Sequence, residues 1–157
     1  MILGIDPGLE NTGWGIIEEN KNGGYKLVDC GVIVTSNKKS YPERLKEIYD
    51  SLLEIVKKNK ITEMAMESLF FAKNSSSAIR VAEAIGVIKL CGINNGLDLV
   101  EYTPLQVKMA LVGFGRAEKE QVEIMVRTEL GLEEEISPSH AADAVAVALT
   151  QAFTMKV

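Results

Sequence analysis

Apolar residues fall into short runs early in the chain and into helical spacings later. Residues 2–6, Ile-Leu-Gly-Ile-Asp, read as a short buried strand ending in an acid, and Pro7-Gly8 signals a turn. Residues 12–19 and 25–35 are strand-like and flank Asn22-Gly23-Gly24, the pattern of a hairpin with a glycine-rich turn. Leu45, Ile48, Leu52 and Ile55 recur at helical spacing, and Ser40 with Glu43 has the spacing of a capping box, so 42–59 is predicted as an amphipathic helix. Residues 63–67 form a short strand that again ends in an acid. Residues 76–93 read as a helix rich in small residues, among them Ala78, Ala82, Ala84 and Gly86. A fifth strand spans 98–102, and Thr103-Pro104 opens a short helix, with proline at a permitted first-turn position. Helices at 117–130 and about 138–153 complete the chain. Ser137-Pro138 opens the last, with Ser137 as N-cap, and its buried side is nearly all Ala and Val.

The order β-β-β-α-β-α-β-α-α-α implies an α/β fold with a five-stranded mixed sheet flanked by helices. Strands 1–3 form an antiparallel meander, and strands 1, 4 and 5 are parallel and joined by right-handed crossovers. Ligand sites in such sheets lie at the carboxyl ends of the parallel strands, where Asp6 and Glu67 stand. The length of 157 residues fits one domain, 1–157.

Composition narrows the class. The longest apolar run, counting glycine, is Met109 to Gly115, far short of the ~18–20 residues of a membrane span. No cation precedes Lys21, which argues against a secretory signal, and the lone Cys30 and Cys91 read as buried thiols in a reducing cytoplasm. The net charge of −5 conceals an asymmetry. Residues 68–119 hold six cations against four acids, whereas 120–143 hold Arg127 against seven acids. The first block can supply a phosphate-binding face, although charge alone favours an ordinary solvated surface.

Four residues carry candidate chemistry: Asp6, Glu67, His140 and Asp143. If strands 1 and 4 are neighbours, their terminal acids lie side by side, and His140 and Asp143 share one face of the last helix. Adjacent carboxylates are costly to bury unless a cation lies between them. Oxygen-rich ligation suits Mg²⁺ or Mn²⁺, and one imidazole tilts toward Mn²⁺. Taken singly, a strand-end Asp before Pro-Gly is also a turn residue, and His140 could simply face solvent. An unpaired acid among Ala141, Ala142, Ala144 and Val145 calls for a partner.

These residues carry a resemblance. Gly4-Ile5-Asp6-Pro7-Gly8 with Thr12-Gly13-Trp14-Gly15 resembles the opening of the bacterial RuvC family of Holliday-junction resolvases. The likeness continues at Met66 through Asn74, at Val107-Lys108, at Gly113 through Lys119, and at His140-Ala141-Ala142-Asp143-Ala144. The resemblance implies an RNase H-like fold and a homodimeric endodeoxyribonuclease. Such an enzyme cuts four-way DNA junctions by paired symmetric nicks and leaves 5′-phosphate and 3′-hydroxyl ends. It implies dependence on Mg²⁺ or Mn²⁺, two ions per site, held by Asp6, Glu67, His140 and Asp143. His is a tolerated variant at the third of these positions. By position, Lys108 and Lys119 match family lysines of DNA binding or catalysis, and Phe70 matches an aromatic that stacks on a base at the junction. Lys73 and Arg116 join them as expected phosphate contacts. A branch-migration motor complex is the further partner implied.

The chain departs from many relatives in its short, less basic end and its acidic balance, which bears on the strength of non-specific DNA binding. The Gly113-Phe114-Gly115 segment reads either as a loop that orders on DNA or as a tight turn. Helix 76–93 could pair with its twin across a two-fold axis, or its Ala82 and Gly86 could let it sit close on its own sheet. Three other functions compete, one of them a relative acting on other branched or RNA-containing substrates. A phosphotransferase of the actin/sugar-kinase type shares the Gly-Ile-Asp-x-Gly opening but needs two such domains. A junction-binding module of the same fold could have lost the chemistry.

Overall fold

The structure, a computed structural model, describes residues 1–68 and 75–155, with the side chains of Ser75 and Ser76 outside the description. Phe70 and Lys73 lie outside the described residues. The strands are β1 (Ile2–Asp6), β2 (Asn11–Glu19), β3 (Tyr25–Val34), β4 (Glu63–Glu67) and β5 (Asp98–Tyr102). The helices are α1 (Tyr41–Lys58), α2 (Ser75–Asn94), α3 (Pro104–Val112), α4 (Lys119–Leu130) and α5 (Ser139–Met155). The sheet runs β3-β2-β1-β4-β5, with β1–β2 and β2–β3 antiparallel and β1–β4 and β4–β5 parallel. This is the mixed sheet the sequence pattern predicts.

The period-2 alternation of the strands sorts residues onto two unlike faces. On one face Leu3, Ile5, Ile16, Met64 and Met66 are fully buried and pack with α1 and α2 residues such as Ile48, Leu52, Ala84 and Ile88. The other face is built of small residues. Gly4 pairs with Gly15, Asp6 pairs with Gly13, and Ala65 lies beside Gly4 on β4. Over them lies α5, which buries Ala141, Ala144, Val145 and Ala148 completely. The glycines set how close α5 comes. A Cβ on Gly13 would overlap the His140 carbonyl oxygen, one on Gly4 the Ala144 carbonyl oxygen, and one on Gly15 a Val145 methyl.

Local rules account for most element ends. Asn20 closes the hairpin turn by accepting from the N–H groups of Asn22 and Gly24, and Gly23 takes φ 80°. Glu43 accepts from the Ser40 N–H at 2.7 Å, the expected half of the α1 capping box. Gly113, at φ 76°, closes α3 as a left-handed C-cap, its N–H donating to the Met109 carbonyl. That assigns Gly113 to a helix stop, while Phe114 stays exposed.

Helices α1 and α2 start one residue earlier than expected, and α4 and α5 start later. Helix α5 begins at Ser139, because the Pro138 carbonyl takes the first-turn bonds from Ala141 and Ala142. Pro138 therefore holds the capping place expected of Ser137, and His140 is the second helical residue rather than the third. Helix α4 begins at Lys119, not 117, because Gln121 accepts from the Glu118 N–H at 2.8 Å and fixes Glu118 as N-cap. On α2, Ala82 and Gly86 face solvent, and a Cβ on Gly86 would meet nothing within 4 Å. They do not seat α2 on its own sheet, because that packing is made by Ala84, Ile88 and Cys91 on the opposite side.

Candidate active site

Strand register brings the first two acids together. Ile5 pairs with Met66 in the parallel β1–β4 ladder, so Asp6 and Glu67 are the next step on adjacent strand ends. Both point to the α5 side by alternation. The glycine cradle then seats the first two turns of α5 against them. His140 Nδ1 donates to Asp6 Oδ2 at 2.8 Å, and Asp143 Oδ2 accepts from Lys119 Nζ at 2.8 Å. The Asp6 side chain is 14% exposed, against 45% for His140 and 52% for Lys119, so the carboxylate lies deepest.

Electrostatics register the crowding. Burial pushes the Glu67 carboxyl up to about 7, and the charges of Asp6 and Asp143 push the same way. Burial also raises Asp6, with the His140 hydrogen bond opposing and Asp143 reinforcing. For Lys119, burial pulls down, but the hydrogen bond and charge of Asp143 outweigh it and hold the ammonium above its usual value.

Among the described residues, no three or more His, Cys, Asp or Glu side chains are gathered closely enough to hold a metal ion as they stand. Two of the three carboxylates are instead paired with N–H donors: Asp6 with His140 and Asp143 with Lys119. The donor set nonetheless fits a divalent cation. Three carboxylates raise or compete with one another at one strand edge, and a dication among them relieves both burial and repulsion.

The Glu67 shift has a measurable consequence. Its folded-state value lies above the unfolded 4.5, so the folded chain binds more protons between about 4.5 and 7. Without metal, stability therefore falls as pH rises through that window. Each unit is worth about 1.4 kcal/mol, and partial exposure reduces the total to about 1–2 kcal/mol. Metal-free Glu67→Gln is expected to melt about 2–6 °C above the parent at pH 8 and equally at pH 4.5. Parallel pH profiles of the two melting temperatures would contradict this.

Two clefts flank the carboxylates. A groove of about 280 Å³ is lined by Glu67, Lys108, Lys119 and Asp143, among others. A cleft of about 550 Å³ is lined by Gly8, Asn11, Arg44, Arg80 and His140, among others. Lys108 and Lys119 thus stand where a phosphate bound at the carboxylates would meet them. Arg116 is exposed in the connection between α3 and α4. Sequence reasoning missed Arg44, since a cation on an amphipathic helix reads as solvated surface, and took Arg80 only as one of the six cations of 68–119. The spacing of Gly4, Gly13 and Gly15 was the available signal for the cradle.

The sequence matches the model of the family described as "Crossover junction endodeoxyribonuclease RuvC" over residues 2–151. It is 48% identical over 149 residues to a protein of that name from Fusobacterium nucleatum, covering 95% of this chain and 78% of the relative. The fold superposes on a Thermus thermophilus RuvC structure with TM-score 0.92 and 37% identity, covering 99% and 95% of the two chains. It also superposes on T. thermophilus RuvC in complex with a Holliday junction substrate, with TM-score 0.90 and 34% identity over 99% and 94%.

Proposed function

The chain belongs to the crossover junction endodeoxyribonuclease RuvC family, and from that premise we propose that Asp6, Glu67, His140 and Asp143 form its hydrolytic centre. It is an endonuclease that resolves Holliday junctions, on an RNase H-like α/β scaffold, and the family is metal-dependent. The observation that carries the assignment of the centre is the convergence of three carboxylates from β1, β4 and α5, each within reach of the others' charge.

Mg²⁺, with Mn²⁺ as the alternative and two ions per site, is the cofactor we assign; it would lower the pKa of an attacking water and offset charge on the departing 3′-oxygen. Asp6 is held in one orientation by His140 Nδ1. Lys119 neutralises Asp143 in the free protein and, once a cation replaces it there, has its ammonium available for a phosphate oxygen. Lys108 borders the same groove, and Arg116, Phe70 and Lys73 complete the proposed DNA contacts. Nicking of a four-way junction beside a linear duplex, with Mg²⁺, Mn²⁺ or chelator, tests the reading. Paired nicks in the junction alone, absent with chelator, are expected; metal-independent cutting or equal cutting of the duplex would refute it.

A second copy of the chain is the proposed partner. Helix α2 exposes Ile79, Leu90 and Ile93 at 60%, 55% and 61%, on the side where Ala82 and Gly86 also face solvent. An apolar stripe of this kind suits a two-fold helix pair, which would present two centres to two strands of like polarity. Leu90→Glu places a charge in that stripe. It is expected to sediment as a monomer at micromolar concentration and to lose paired nicking at least tenfold; it should still fold, since Leu90 is exposed in the single chain, and should melt lower only by the stabilisation that pairing supplied. A parent that sediments as a monomer would end the proposal.

A further inference from the structure

The nuclease reading leaves the cleft at Arg44 and Arg80 without a role, although it meets the carboxylates at His140. A buried relay joins two of its lining residues, Arg44 and Leu9. Arg44 Nε donates to Thr35 Oγ1 at 2.9 Å, and Thr35 Oγ1 donates to the Leu9 carbonyl at 2.6 Å. Thr35 is 1% exposed, so the relay ties α1, the end of β3 and the β1–β2 turn into one rigid wall. On the other wall, the Arg80 guanidinium lies 5.4 Å from the centroid of the Tyr41 ring, and the Tyr41 hydroxyl donates to the Arg80 carbonyl at 2.6 Å. Both cations are thus held in place from one side, and these contacts use few of their N–H donors. Glu10 lines the same cleft, so two guanidiniums face one carboxylate.

We propose that this cleft is a phosphodiester subsite, in which Arg44 and Arg80 grip phosphates of the cut strand that flank the scissile one. The proposal rests on the junction-nuclease reading. The cleft reaches α5 at His140 and the lysine groove reaches it at Asp143, and among the described residues the two share no lining residue. The carboxylates therefore stand between two separate cationic clefts. A DNA strand carries one phosphate per about 3.4 Å of helix axis. A strand with one phosphate at Asp6 consequently offers its neighbours to both. Guanidinium forks bind phosphate oxygens in pairs, and pre-held ones lose little entropy in doing so. Such contacts carry no base information but set register, and so decide which phosphate meets the carboxylates.

The test measures junction affinity of the full chain against salt, without divalent metal, and steady-state nicking with it. Arg80→Gln is expected to flatten the log–log salt slope by about 0.9 for each phosphate it no longer neutralises. It should raise KM about tenfold with kcat changed less than threefold. Arg44→Gln should add a comparable weakening, and Arg44→Lys, which keeps the charge, should recover most of the slope. Melting temperatures separate these effects from damage to the Thr35 relay. A parental slope and KM in Arg80→Gln would overturn the subsite. Because the slope is read on binding alone, a parent chain that binds junctions but fails to nick would sink the nuclease reading instead.

Discussion

Asp6→Asn lowers junction nicking by at least about a thousandfold while junction affinity stays within about threefold of the parent. Asn matches Asp in shape, and its carbonyl oxygen can still accept from His140 Nδ1, so the end of β1 keeps its local bond. What disappears is the charge on a carboxylate only 14% exposed. On the proposed reading the site loses one of the residues that would hold a dication, whereas the lysine groove of Lys108 and Lys119 is untouched. The same change removes the second cause of the raised Glu67 carboxyl, so the metal-free variant should also be less destabilised at neutral pH. Single-turnover nicking with Mg²⁺, set beside gel-shift affinity in chelator, measures both quantities. Near-normal nicking would remove Asp6 from the reaction.

Gly13→Ala should cost about 3 kcal/mol of stability, or roughly 6–12 °C in melting temperature, although an alanine in a strand is ordinarily no worse than glycine. The added methyl would occupy the place of the His140 carbonyl oxygen, a backbone atom that no rotamer change can move. Relief requires α5 to lift from the sheet at its N-terminal turn. That turn carries His140 and Asp143, so the damage reaches the chemistry: displacement by about 1 Å is enough for a hundredfold loss. Gly13→Ala is thus expected to lose activity beyond its loss of folded protein. Thermal melts followed by nicking well below the melting temperature distinguish the two. An alanine variant with parental melting and parental rate would mean that α5 does not rest on Gly13.

The features legible in the sequence are those that neighbouring residues decide. Two strands ending in acids, a glycine turn between two strands, and Ser40 followed by Glu43 each specify their element through interactions a few residues long. The alternation within 2–6 and within 63–67 was legible too, but Asp6 and Glu67 share a face only because β1 and β4 are parallel neighbours with Ile5 beside Met66. Helix starts were less legible: the first backbone bonds of α5 run to the Pro138 carbonyl, one residue later than Ser137 as N-cap predicts.

The tertiary structure alone decided how the charges are shared. His140 meets Asp6 across 134 positions and Lys119 meets Asp143 across 24. Neither pairing has a local signature, because each depends on how closely a helix settles on a glycine face. The cleft at Arg44 and Arg80 arises in the same way, from two helices and a turn brought against one strand end. The sequence by itself determined which chemical groups the molecule possesses and which side of each element they occupy, since period and propensity act over a few residues. Packing determined which of them meet, because distances between elements follow from the volumes that fill the space between them.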